Sequence, residues 1–348
     1  MWSLADGKVG REFQVMNTKI GGKLVKIRNG KMHVKIMGGG EKTIVYLPGW
    51  NEPLPTVESG PLMRKLAEKY TVCAVEYFGY GLSDRVDRAH TNENYVEEIR
   101  EVLSAAGLNP PYVLMPYSCS GVYAEYYAIK YPHELEGIIM LDCTSTAQDL
   151  EIGVELIEVE KVEAAVNKLI SAGGEIPRIG SPGWDEFVKE YFAKYYDEYL
   201  NQGFAKEVLD EEVQEIISGL AITEFDISSI TPEEWEEIYE EYLPLGYTKE
   251  ELEVQAITPN HGKTLDAQYR MLPENVKEVM AMDVKIADVI PVLVISAEPE
   301  GDEHVKAASD HLEKVGKVKK HVVIDGSDHG TITFYRDVIS REVDEFLS

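Results

Sequence analysis

Short apolar runs alternate with amphipathic stretches from Lys23 to Asp142, stop, and resume at Ile290. Lys23–Arg28 and Lys31–Ile36 are strand-like runs joined by Asn29-Gly30, the dipeptide of a tight hairpin. Thr43–Leu47, Thr71–Glu76, Pro111–Met115 and Leu135–Asp142 are short and mostly apolar, as buried strands are. Between them, Gly60–Tyr70 and Asn92–Ala106 carry apolar residues at helical spacing, and Gly107-Leu-Asn-Pro-Pro111 breaks the second of these. Strand and helix in alternation predict an α/β fold with a mostly parallel sheet and helices on both faces. Ligands of such a sheet bind at the carboxyl ends of its strands.

The alternation lapses between about Thr144 and Asp288. Six helical patterns fill that stretch: Asp149–Ala172, Trp184–Gln202, Glu207–Ala221, Pro232–Tyr242, Lys249–Val254 and Leu265–Val279. This predicts a core made of residues 1–143 and 289–348, with a helical cap at 144–288 inserted after the sixth strand. Ile290–Ser296 and Lys319–Ile324 then complete the sheet, His304–Val315 is a helix between them, and Thr331–Leu347 is a closing amphipathic helix.

The chemistry concentrates at Met115-Pro-Tyr-Ser118-Cys-Ser-Gly121. A strand precedes it. A helix follows, with Val122, Tyr123, Tyr126, Tyr127 and Ile129 at helical spacing and Tyr131-Pro132 at its end. A serine on a sharp strand-to-helix turn has its Oγ pushed clear of the sheet, and the helix N-terminus behind it offers N–H groups to a developing negative charge. The plain alternative is that Ser118 caps the helix. Cys119 is a rival nucleophile, one residue past the apex.

The run Ser118-x-Ser-Gly121-x-x-Ala124-x-x-x-Ala128-x-x-Tyr131-Pro132 resembles the elbow helix of the α/β-hydrolase superfamily, although Pro116 and Ser120 stand where G-x-S-x-G has glycines. Phe78-Gly79-Tyr80-Gly81-Leu82-Ser83-Asp84 resembles the superfamily's G-x-G-x-S-D loop, with Glu76 in place of the more usual Asp. The resemblance covers about residues 20–145 and 288–348. It implies a serine hydrolase working through an acyl-enzyme, with no metal or organic cofactor. It makes Ser118 the nucleophile and His329 the base, since of eight histidines His329 alone follows the last strand in a Gly-Ser-Asp-His-Gly turn. The backbone N–H groups of Trp50, after Pro48-Gly49, and of Cys119 become the oxyanion hole. For the acid, Ala297-x-x-Glu300 aligns with the superfamily's Gly-x-x-Asp, so Glu300 is the first choice. Asp142, at the end of the sixth strand, is the alternative, and Glu298 and Asp302 are nearby competitors. A serine rather than an aspartate at the elbow argues against dehalogenase or epoxide hydrolase chemistry.

Composition narrows the partners. Sixty-two acidic against 34 basic residues leave a net charge of −28, which repels nucleic acid and anionic membrane surfaces. No apolar run is long enough to span a bilayer, and Met1–Gln14 has charges where a signal peptide needs an apolar segment. Cys73, Cys119 and Cys143 have neither metal-ligand spacing nor an even count, which fits a reducing, cytoplasmic compartment. The expected partner is a small-molecule substrate, with ester hydrolysis first. Amide or peptide cleavage of an aminopeptidase kind is second, and a non-catalytic, ligand-sensing hydrolase fold is the rival of another class.

Overall fold

A computed structural model of the chain describes residues 20–50, 52, 54–143, 159–174, 176–201, 203, 205–220, 230–256, 262–282, 290–298 and 316–348. Eight strands form one sheet: β1 Lys23–Lys26, β2 Lys31–Gly38, β3 Thr43–Leu47, β4 Thr71–Val75, β5 Tyr112–Pro116, β6 Leu135–Leu141, β7 Pro291–Ala297 and β8 Lys317–Ile324. Their order is β1-β2-β4-β3-β5-β6-β7-β8. The β1–β2 and β2–β4 pairs are antiparallel and the remaining five pairs are parallel. The Asn29-Gly30 hairpin closes with Ile27 N–H donating to Gly30 C=O at 2.9 Å. All eight expected strands are present, with ends displaced by a residue or two.

The unbroken apolar runs sit at the centre of the sheet. Every residue of β5 is buried, and β3 and β4 are buried after their first residue. On β8, at the edge, most residues are partly or fully exposed. The first helices are α1 Pro55–Glu58, α2 Gly60–Ala67, α3 Asn92–Ala105 and α4 Ser120–Lys130; the last is α12 Arg336–Leu347. Leu62, Met63 and Leu66 of α2 and Ile339 and Val343 of α12 join Ile44, Val72, Val113, Ile139 and Leu293 in one apolar cluster. Tyr46, Ala74, Met115, Leu141 and Ile295, each two residues further along the same strands, are in the cluster too, so these positions share one face of the sheet. The apolar stripes of α3 and α4 are likewise buried, at Val96, Ile99, Val102 and Leu103 and at Val122, Tyr123, Tyr126 and Tyr127. The Phe78–Asp84 loop is tight because Gly79 and Gly81 adopt φ of 84° and 42°, which a side chain resists.

Between α4 and α12 lie α5 Val159–Ser171, α6 Trp184–Tyr191, α7 Ala193–Asn201, α8 Lys206–Leu220, α9 Pro232–Tyr242, α10 Lys249–Ala256 and α11 Gly262–Ala281. Among the described residues, none from 159 to 282 is in a strand. The expected helix over 184–202 is two, broken at Phe192. The chain divides into two compact units. One comprises Leu150–Glu224 with Pro259–Asp266, and the other takes Met1–Asp149, Phe225–Thr258 and Ala267–Ser348. The smaller unit has its own core, in which Val162, Ala165 and Val166 pack with Trp184, Phe187, Tyr196, Leu209, Val213 and Ile217. In the larger unit, α9, α10 and most of α11 accompany the sheet. The expected helix His304–Val315 lies outside the described residues.

Candidate active site

Four parallel strands deliver the site residues from their carboxyl ends: β3 leads to Trp50, β5 to Ser118, β6 to Asp142 and β8 to His329. Ser118 has φ of 54°, rare for a residue with a side chain and characteristic of a nucleophile elbow. The turn is secured by Ser118 N–H donating to Leu141 C=O at 3.2 Å and Gly121 N–H to Ser118 C=O at 3.0 Å.

Ser118, His329 and Asp142 form one hydrogen-bonded line. His329 Nδ1 lies 2.6 Å from Asp142 Oδ2, and His329 Nε2 lies 3.0 Å from Ser118 Oγ. A carboxylate accepts only, so Nδ1 carries the proton and Nε2 is free to accept from the Ser118 hydroxyl. Asp142 is itself fixed: its Oδ1 accepts the Ala297 N–H at 2.8 Å, and its φ of 43° turns the side chain off the strand end. Glu300, the first choice for the acid, lies outside the described residues, and the carboxylate that meets His329 is that of Asp142, the alternative. Asp302 also lies outside them. Glu298 braces the histidine loop instead, accepting Gly326 N–H at 2.8 Å while its own N–H donates to Ser327 C=O at 3.2 Å.

The backbone N–H groups of Trp50 and of Cys119 both pull the pKa of the Cys119 thiol down, against its burial. Burial pushes the Cys119 thiol up to about 12, which leaves it a thiol and a poor nucleophile at neutral pH. Among the described residues, no group of three His, Cys, Asp or Glu is arranged to hold a metal ion. None of their helices is long and apolar enough to cross a membrane.

Four further residues shape the site. Tyr117 stacks on the His329 ring at 5.2 Å between centroids and donates its hydroxyl to the His329 carbonyl. Ser120 is fully buried; its hydroxyl donates to Pro48 C=O and lies 2.8 Å from Tyr77 Oη. The serine that departs from the glycine pattern therefore ties the elbow to the Trp50 loop. Glu52 is 6% exposed, and burial pushes its carboxyl up to about 7 against the downward pull of Ser59, Gly49 N–H and Tyr46. Gln268 of α11 donates to Tyr123 Oη at 3.2 Å and reaches Cys119 Sγ at 3.6 Å. The motif flagged Ser120 only as an irregularity. Nothing in the local pattern marked Glu52, Tyr117 or Gln268, because burial and cross-chain contact are tertiary properties.

Comparison with known proteins places the fold in a larger group. Solved structures of the same architecture include E-2-(acetamidomethylene)succinate hydrolase, 16% identical with a TM-score of 0.54 over 94% of this chain and 98% of that one. Carboxylesterase CesB (YbfK) from Bacillus subtilis is 12% identical, with a TM-score of 0.52 over 98% and 97%. The epoxide hydrolase CorEH is 17% identical, with a TM-score of 0.55 over 94% and 98%. The chain has the α/β-hydrolase fold. In sequence it is similar to the uncharacterized protein YbdG of Bacillus subtilis, 30% identical over 204 residues, which are 59% of this chain and 58% of that protein. It is also similar to the uncharacterized protein YqjL of the same organism, 28% identical over 105 residues, 30% of this chain and 41% of that one. The chain thus matches about three fifths, or less, of the length of these relatives. No family model matches it.

Proposed function

We propose that the protein is a serine hydrolase that cleaves a carboxylic ester of a small or medium-sized substrate through an acyl-enzyme. Ser118 is the nucleophile, His329 the base and then the acid, and Asp142 the orienting carboxylate. One observation carries the reading: the unbroken line from Ser118 Oγ through His329 to Asp142, at 3.0 and 2.6 Å, on a serine held at positive φ. The hydrolases that share the fold agree with it.

In this mechanism Ser118 Oγ attacks the ester carbonyl while His329 Nε2 takes its proton. Asp142 holds the Nδ1–H tautomer and stabilises the imidazolium. The Trp50 and Cys119 N–H groups receive the oxyanion, each worth about 3 kcal/mol by comparison with oxyanion-hole donors in general. Collapse expels the alcohol with the proton from His329, and water repeats the sequence on the acyl-enzyme.

Fluorophosphonate labelling of wild type and Ser118→Ala, with turnover of p-nitrophenyl esters and aminoacyl-nitroanilides, tests the reading. Wild type is expected to label and to cleave the esters, and Ser118→Ala to do neither. Faster turnover of the anilides would move the assignment to amide cleavage. Wild-type protein that neither labels nor turns over would leave the ligand-sensing reading.

A further inference from the structure

We propose that Glu52 is a positioning residue of this site: with Ser120, it locks the Pro48–Gly49 peptide unit and so aims the Trp50 N–H at the developing oxyanion. The inference rests on the serine-hydrolase reading and on Trp50 as an oxyanion donor.

The donor loop needs such a lock. A Cβ on Gly49 would lie 2.9 Å from the Tyr117 ring and 3.1 Å from Ser118 Cβ, so the position has no room for a side chain. Glycine leaves the flanking peptides freer to rotate than any other residue does. Rotation of the Gly49–Trp50 peptide would carry the donor N–H away from the nucleophile.

The preceding peptide is held at both ends. Its oxygen, Pro48 C=O, accepts the Ser120 hydroxyl. Its N–H, that of Gly49, donates to Glu52 Oε2 at 3.0 Å. The Gly49 carbonyl, on the donor peptide itself, faces Tyr80 Oη at 3.4 Å.

Glu52 is in turn immobilised. The Tyr46 hydroxyl lies 3.0 and 3.1 Å from its two oxygens and 2.7 Å from Ser59 Oγ, and the Ser59 hydroxyl also donates to Glu52. Tyr46 and Ser59 are 0% and 2% exposed. Burying a carboxyl without a cation is unfavourable, and an apolar residue would pack there at less cost. What the carboxyl adds is two acceptor oxygens that join a strand end, the donor loop and the turn between α1 and α2.

The experiment compares wild type, Glu52→Ala, Glu52→Gln and Ser120→Ala on p-nitrophenyl butyrate, together with the inhibition constant for phenylboronic acid, whose adduct with a serine is a tetrahedral anion. Glu52→Ala is expected to lower kcat by about 10- to 100-fold, to leave KM within about twofold, and to weaken the boronate by about the factor lost in kcat. Glu52→Gln keeps an oxygen for the Gly49 N–H and is expected to recover most of both. Ser120→Ala frees the other end of the same peptide and is expected to repeat the Glu52→Ala pattern, which tests the lock even if Glu52→Ala does not fold. Wild-type kcat and boronate affinity in Glu52→Ala or in Ser120→Ala would overturn the proposal, as would Glu52→Gln as impaired as Glu52→Ala. Wild-type protein without Ser118-dependent turnover would overturn it together with the serine-hydrolase reading, a result distinct from an active enzyme indifferent to Glu52.

Discussion

At Asp142, one carboxylate meets two demands. Oδ2 faces His329 Nδ1 and Oδ1 accepts the Ala297 N–H. In Asp142→Asn, the amide oxygen keeps the Ala297 bond, which turns the NH2 group toward His329. Nδ1 must then accept, the ring proton moves to Nε2, and Nε2 can no longer take the Ser118 proton. The expected outcome is a loss of about 10⁴ in kcat, as for an orienting aspartate generally, with melting temperature nearly unchanged. Steady-state kinetics and thermal melts of the purified variant check it; near-normal turnover would remove Asp142 from the mechanism. Spacing along the chain favoured Glu300, because the superfamily pattern counts residues from the penultimate strand. The φ of 43° that swings Asp142 toward the histidine has no signature in a sequence.

Elements fix where these residues sit. The strand-turn-helix at Ser118 was legible because an apolar run, small residues and a helical period follow one another within about 20 residues. The attachment of α11 was not legible. Asn275 Oδ1 accepts the Asn92 N–H at 3.0 Å at the start of α3, Asn275 Nδ2 donates to His90 C=O at 2.8 Å, and Asn92 Nδ2 donates to Asn275 C=O at 2.8 Å. Asn275 is 1% exposed. Asn275→Ala leaves a buried N–H and a part-buried C=O without their Asn275 partner, and it is expected to destabilise the fold by about 1–3 kcal/mol. Urea titration measures this, and a change under about 0.5 kcal/mol would mean that the pair contributes little. Since α11 also carries Gln268, which reaches Cys119, the proposed hydrolase activity is expected to fall in the folded fraction as well.

Across the whole molecule, charge is the dominant asymmetry. A net −28 sets up self-repulsion that salt screens, while the exposed ion pairs that salt also weakens are worth only about 0–1 kcal/mol each. Self-repulsion is the larger effect, so raising NaCl from about 10 to 300 mM is expected to raise the melting temperature by a few degrees. Differential scanning fluorimetry checks the sign, and a lower melting temperature in salt would show that specific ion pairs dominate.

Periodicity along the chain was enough to determine the eight strands, the α/β fold and the helical character of the described residues between 159 and 282. Burial of apolar runs and stripes is a local demand that sequence order expresses directly. The resemblance at the elbow singled out Ser118 and His329 because each lies at a set distance from a strand end. Tertiary structure alone decided which carboxylate meets His329, why a serine stands at 120, and that Glu52 is enclosed beneath the Trp50 loop. Those outcomes turn on backbone angles and on groups tens of residues apart, whose meeting depends on the packed sheet and leaves no period in the chain.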